Sequence, residues 1–275
     1  MSKRKRDREQ GGGAGEPAHA VEAGAHSASG TAVIRWMFFA VILLVSAVIV
    51  ATAFNPAPHT GGDNAGYVTL GYSLLHDHSY TELFDPARAP HTKYPPVFPL
   101  LLAAFMLLGA RSWVSLKAVA ALSTIATVAV TYLWAERRTN PVWALGTSLA
   151  LALASAVVYY SHWVLSDPTF LGFTVLALFA LERADGGRTM RALAAARRRA
   201  RRSKAEARAG TGTEAEEPGP RSLWLALGVT AAGLAYFTRS AGLPLLIAVF
   251  VWLTLRRRWR ALAASAVGLG IPMFL

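Results

Sequence analysis

The sequence contains no cysteine. Disulfides, thiolate nucleophiles and cysteine-ligated metals are therefore excluded, and the redox compartment leaves no mark on the chain. Charge is scarce as well: 16% of the 275 residues are Asp, Glu, Lys or Arg and 53% are hydrophobic, against about 25% charged in an average soluble domain. Acids are the rarer sign, 16 against 28 Lys and Arg, giving a net charge of +12. There is no P-loop, no dinucleotide fingerprint and no internal repeat, which removes the motif-borne case for nucleotide chemistry and for a solenoid. A basic surplus often marks a nucleic-acid binder. Here it sits in the N-terminal tail, in residues 183–221 and in residues 256–260, beside apolar runs, where Lys and Arg set orientation and meet anionic lipid. Membrane lipids are the expected partners, and nucleic acid is not.

What the chain does have is apolar runs: residues 32–54, 97–110, 113–135, 142–163, 169–181, 222–237, 241–255 and 261 onward. The first is long enough for the roughly 30 Å hydrocarbon core. Its Ala51-Thr-Ala53 end resembles a peptidase site, but the run is too long for a signal peptide, so an uncleaved span is expected. Residues 97–110 would give only about 21 Å of helix. If they crossed, Glu136-Arg-Arg138, the basic loop 183–221 and Arg256-Arg-Arg258 would all fall outside, against the positive-inside rule. A re-entrant or interfacial segment is expected instead.

The expected fold is thus an all-α polytopic membrane protein of about seven transmembrane helices, with the N-terminus cytoplasmic. Residues 1–30 form a basic tail without an apolar period, expected to be disordered. Residues 54–111 form the first outer loop and 183–221 a cytoplasmic loop, Ala- and Arg-rich at first and a Gly/Pro/Glu linker after residue 210. All eight tryptophans lie near expected span ends, as an interfacial belt requires. The last run stops at Leu275 with no closing charge, so the sequence reads as a chain cut short.

The chemistry is expected in residues 61–96, where acids, histidines, tyrosines and a lysine gather between apolar runs. Tyr67, Leu70, Gly71, Leu74 and Leu75 follow helical spacing and predict a short amphipathic helix on the membrane. Asp63 stands at its start, where a carboxylate either caps free N–H groups or faces a substrate. Ser166-Asp167-Pro168 poses the same choice, being also an ordinary helix start. Arg239 lies in a tight outer turn and needs a partner there, a lipid phosphate or Asp167. His76, Asp77 and His78 are spaced so that the two imidazoles point to different faces, which argues against a metal site. Glu82, Asp85 and His91 are acceptor-contact candidates by placement alone. Lys117 is the clearest charge inside an apolar run.

Gly62-Asp63, Tyr67, Gly71, Leu74 and Lys93-Tyr-Pro-Pro96 with Pro99 resemble the first-loop pattern of the GT-C glycosyltransferases. The likeness is to the family 39 group of protein O-mannosyltransferases and lipid A aminoarabinose transferases. It continues through Tyr159-Tyr-Ser-His162, Ser166-Asp-Pro168 and residues 233–242. The resemblance implies a GT-C-like bundle that moves a sugar from a polyprenyl-phosphate donor to an envelope glycan, lipid or protein hydroxyl at the outer face, with inversion. It implies Asp63 as base, Asp167 as a second acidic position, Lys93 and Arg239 at the lipid phosphate, and Tyr67, His91 and His162 as weaker substrate contacts. Many relatives carry Glu after the first aspartate where this chain has Asn64, which weakens a site for a divalent metal; no metal ligand is assigned. The alternatives are a non-catalytic polytopic protein, such as a transporter or assembly subunit, and an inactive truncated transferase.

Overall fold

The computed structural model describes residues 18–58, 62–186 and 221–270. Most of the N-terminal tail and of the basic loop lie outside the described residues. Among the described residues eleven α-helices follow in order: α1 (Ala18–Ala53), α2 (Asn64–His76), α3 (Val97–Leu107), α4 (Trp113–Leu116), α5 (Ala118–Arg138), α6 (Pro141–Ala152), α7 (Ser155–Tyr160), α8 (Asp167–Asp185), α9 (Arg221–Thr238), α10 (Leu243–Leu255) and α11 (Trp259–Gly270). A single turn of 3-10 helix, Ser240–Gly242, joins α9 to α10. No strand occurs among the described residues, only an isolated bridge between Thr81 and Pro90. Helix α1 starts at Ala18, inside the stretch expected to lack order; that stretch is rich in Ala, the residue of highest helix propensity, and it prolongs the helix beyond its apolar part.

Among the described residues, two helical stretches are long and apolar enough to cross a membrane, Val33–Ala53 and Trp113–Arg138. The other apolar helices are shorter, among them α3, α6, Ser222–Thr238 and Ser240–Leu255. The run expected to cross at 142–163 is broken, because Ala154 is extended (φ −60°, ψ 124°) and separates α6 from α7. Large apolar side chains stand exposed along α1, among them Trp36, Met37, Leu44 and Val48. Such a surface suits lipid rather than water.

The helices pack by their apolar faces. α8 lies chiefly against α9 and then α5, and α1 rests on α5 and α6. A Cβ on Gly228 of α9 would stand 2.7 Å from Leu181 Cγ and 3.0 Å from Leu181 N, so the two backbones approach at a distance only glycine allows. Ile42, Val128, Tyr132 and Ala144 form a core among α1, α5 and α6. Tyr67, Phe98, Leu102, Leu116, Val119 and Val164 form another beneath the outer segments. Both ends of α3 reach this second cluster, with Phe98 and Leu102 buried in it and Phe105, Met106 and Ala110 packed against it. α3 packs chiefly against α2.

Charged side chains sort onto two ends. One end holds the Lys93–Asp63 and Arg239–Asp167 pairs and Lys117, which is buried and donates to the carbonyls of Asn55 and Ala57 at 2.6 Å each. The opposite ends of α5 and α8 carry Arg138–Glu182 and Arg256–Asp185, with Arg35–Glu136 beside them.

Candidate functional site

Asp63 occupies the N-cap position of α2, and its backbone carbonyl accepts the Tyr67 N–H at 3.0 Å, but its side chain makes no capping bond. The carboxylate turns outward instead. Its Oδ1 accepts the Tyr94 hydroxyl in a short hydrogen bond and the Lys93 ammonium at 3.4 Å. Lys93 Nζ also donates to the Tyr94 oxygen at 2.9 Å, so cation, phenol and carboxylate form one chain. The Asp63 side chain is 44% exposed and that of Lys93 69%, open to a ligand from the same side.

Tyr94 is held from several directions. Residues 77–96 fold back on themselves: Glu82 N–H donates to Ala89 O at 3.1 Å and His91 N–H to Tyr80 O at 2.8 Å. Tyr80 donates its hydroxyl to Tyr94 O at 2.8 Å, and the Tyr94 N–H donates to His91 Nε2 at 2.9 Å. His91 Nε2 is thus an acceptor, and Nδ1–H points to Glu82 Oε1 at 2.9 Å. The Tyr94 ring lies 4.6 Å from that of Tyr67 and 4.8 Å from that of His91. On its other side a Cβ at Gly66 would come within 3.1 Å of the ring, so α2 presents a bare glycine to it.

Electrostatics follow the contacts. The Tyr94 hydrogen bond holds the Asp63 carboxyl below its usual range; burial opposes this, while Lys93 and the more distant charge of Arg239 add to it. Burial, then the bond to Asp63, pushes the Tyr94 phenol up. The hydrogen bonds to Tyr94 and Asp63 raise Lys93. At neutral pH the group is a carboxylate, a phenol and an ammonium.

Asp167 opens α8, preceded by Ser166 and followed by proline as expected, but Ser166 caps nothing with its side chain. The Ser166 hydroxyl instead meets the Tyr67 hydroxyl at 3.0 Å, a buried bond that ties α8 to α2. Asp167 pairs with Arg239, which stands extended ahead of the 3-10 turn. Both side chains are a third or more exposed, and exposed ion pairs contribute about 0–1 kcal/mol, so opening this one for another anion costs little.

Of the residues expected at the site, Asp63, Lys93, Tyr67, Asp167 and Arg239 converge. His91 enters as the buried anchor of Tyr94 rather than as an open contact. His162 stands edge-on to the ring of Tyr159, which also meets that of Trp163. Glu82 serves His91, and Asp85 accepts the N–H groups of Ala87 and Ala89. His76 stacks on Tyr72 and Asp77 pairs with Arg88. Tyr94 and Ser166 were missed as individual residues; the only signal was their place inside the quoted motifs. Among the described residues no group of three or more His, Cys, Asp or Glu side chains is placed to hold a metal ion.

Two cavities flank the charged group. One of about 650 Å³ runs between α3, α9 and α11, lined by Pro96, Leu100, Leu225, Gly233, Phe237 and Leu269 among others. It starts two residues from Tyr94 and from Arg239. The other, about 210 Å³, lies where α6 breaks into α7 and is walled by Thr124, Thr127, Tyr160 and Asp167.

In fold, the chain is similar to ArnT. The match is to the crystal structure of ArnT from Cupriavidus metallidurans in the apo state, with a TM-score of 0.59 and 18% identity over 90% of this chain. The chain spans 42% of that protein's length. The likeness is one of fold. No protein-family model matches the sequence. No curated protein matches it either.

Proposed function

We propose that the chain belongs to a membrane glycosyltransferase of GT-C type that moves a sugar from a polyprenyl-phosphate donor to a hydroxyl of an envelope glycan, lipid or protein. In this reading α1, α5, α6 with α7, α8, α9, α10 and α11 cross the bilayer, giving seven crossings with the N-terminus inside. α2, α3 and α4 lie at the outer face, α3 as a re-entrant segment. The observation that carries the reading is the convergence, from three distant parts of the sequence, of one outward-facing carboxylate and two exposed cations, with an apolar cavity whose lining begins two residues from Tyr94 and from Arg239. A prenyl phosphate has that shape and charge.

The acceptor oxygen bonds to the anomeric carbon on the face opposite the phosphate while its proton passes to Asp63. The bond from carbon to phosphate oxygen breaks, its electron pair leaves with the prenyl phosphate, and Lys93 and Arg239 meet the added negative charge. Asp167 holds Arg239 until the phosphate arrives. With no set of metal donors among the described residues, no step is routed through a metal. A transporter is supported less well, since the ion pairs gather at the two ends of the bundle rather than at mid-membrane.

The test is release of polyprenyl phosphate by protein in lipid, using polyprenyl-phosphate sugars. Asp63→Asn is expected to lower the rate about 10²- to 10⁴-fold, the usual contribution of a positioned base, with expression and insertion unchanged. Undiminished release by that variant removes Asp63 from the mechanism.

A further inference from the structure

The end of the bundle opposite Asp63 carries more guanidinium than carboxylate. Glu136 pairs with Arg35 at 3.3 Å. Glu182 is occupied by Arg138, at 2.8 Å from Nε and 2.5 Å from Nη2, and by the Trp134 indole N–H at 2.5 Å on the same oxygen. Asp185 pairs with Arg256 at 2.7 Å. These pairs join α1 to α5, α5 to α8, and α8 to the turn after α10. Among the described residues, they account for Glu136, Glu182 and Asp185 at this end.

Arg183 lies in the same corner. It is laid over the Trp224 ring at 4.2 Å and near the Phe179 ring at 5.8 Å, which fixes its direction without neutralising it. The charges of Arg137 and Arg35 both act on it. Like charges held together by packing call for an anion.

We propose that Arg137 and Arg183, assisted by the Glu136-paired Arg35 and with Trp134 and Trp224 beside them, bind the phosphodiester headgroup of an anionic phospholipid. The position of the corner selects lipid over other anions. The apolar stretch of α1 begins at Val33, next to Arg35, and that of α5 ends at Arg138, next to Arg137, so the guanidiniums sit at the boundary where headgroups lie. Val33, Ile34, Trp36 and Met37 are exposed beside Arg35 and offer apolar surface to the acyl chains. The site is independent of the sugar-transfer reading, since none of its residues is near Asp63.

Native mass spectrometry of the purified full chain, supplied with phosphatidylglycerol or phosphatidylcholine, reads the site directly. Retention of phosphatidylglycerol over phosphatidylcholine is expected, weakened about five-fold for each guanidinium removed in Arg137→Gln and in Arg137→Gln/Arg183→Gln. Arg257→Gln/Arg260→Gln, which removes equal charge from the next turn, should retain the lipid. Equal retention of both lipids overturns the proposal, and so does equal loss in the control variant. Inorganic phosphate displacing the lipid at matched concentration would mark a plain anion site and overturn it too. Arg137 is exposed and removes no packing, so its single variant keeps the test open if the double variant does not fold.

Discussion

Tyr94 stands between a cation and a carboxylate, and that position determines what Asp63 does. While the phenol donates to Asp63 and Lys93 donates to the phenol, the carboxylate is a weak base with one oxygen already engaged. A phosphate that draws Lys93 away removes a stabilising charge from Asp63 and frees a lone pair on Tyr94 for the acceptor hydroxyl. Because the carboxyl is held below its usual range, it stays ionised down to that range, and activity limited by Asp63 is lost only as pH falls through the lowered value. The transfer rate is therefore expected to be flat between pH 8 and about 5. In Tyr94→Phe the main cause of the lowering is gone, so the acid limb moves to higher pH as the rate falls. Rate profiles of the two proteins check this, and an inflection near pH 6.5 in the wild type would hand the base to a histidine. Asp63 was legible only as a candidate, because a lone carboxylate at a helix start reads as a cap and it was the polar company of residues 61–96, with the resemblance, that singled it out. Tyr94 and Ser166 were not: their bonds to Asp63 and Tyr67 cross 31 and 99 residues, and local spacing carries no trace of such contacts.

The helices around the site differ in how far their sequences foretell them. The stripe of α2 was legible, and Tyr67, Leu70 and Gly71 are buried as the 3.6 period requires. The start of α6 at Asn140-Pro141 is equally local, with Asn140 accepting from Val142 and Trp143 N–H groups at 3.1 and 3.0 Å. The break after Ala152 was not foreseen, since no proline or glycine lies in residues 150–157. The approach of α8 to α9 depends on one residue. Gly228→Ala drives a Cβ into the backbone and side chain of Leu181, and overpacking of this kind costs about 1–3 kcal/mol. A lowered Tm is expected for this variant with the Asp63 group intact, whereas an unchanged Tm would mean that α8 and α9 part freely.

At the scale of the whole molecule, placement of charge decides which end faces which side of the membrane. Basic residues were expected on one side by a parity argument that kept residues 97–110 from crossing; α3 packs into the cluster that holds Tyr67 and Leu116, and which side of the membrane its end faces is left to experiment. Length alone would have said less, because among the described residues only two stretches are long enough to span unaided. The absence of cysteine makes the topology directly testable, since any introduced thiol is the sole site of labelling. Arg111→Cys follows α3, and Thr139→Cys follows α5 at the end that carries Arg138 and Glu182. If α3 is re-entrant, a membrane-impermeant maleimide added to intact cells labels Arg111→Cys and leaves Thr139→Cys unmodified until the membrane is opened. Labelling of Thr139→Cys alone would mean that α3 crosses. Every later helix would then reverse, and Asp167 and Arg239 would lie on the opposite side from Asp63, although Tyr67 and Ser166 join those two groups by a buried hydrogen bond.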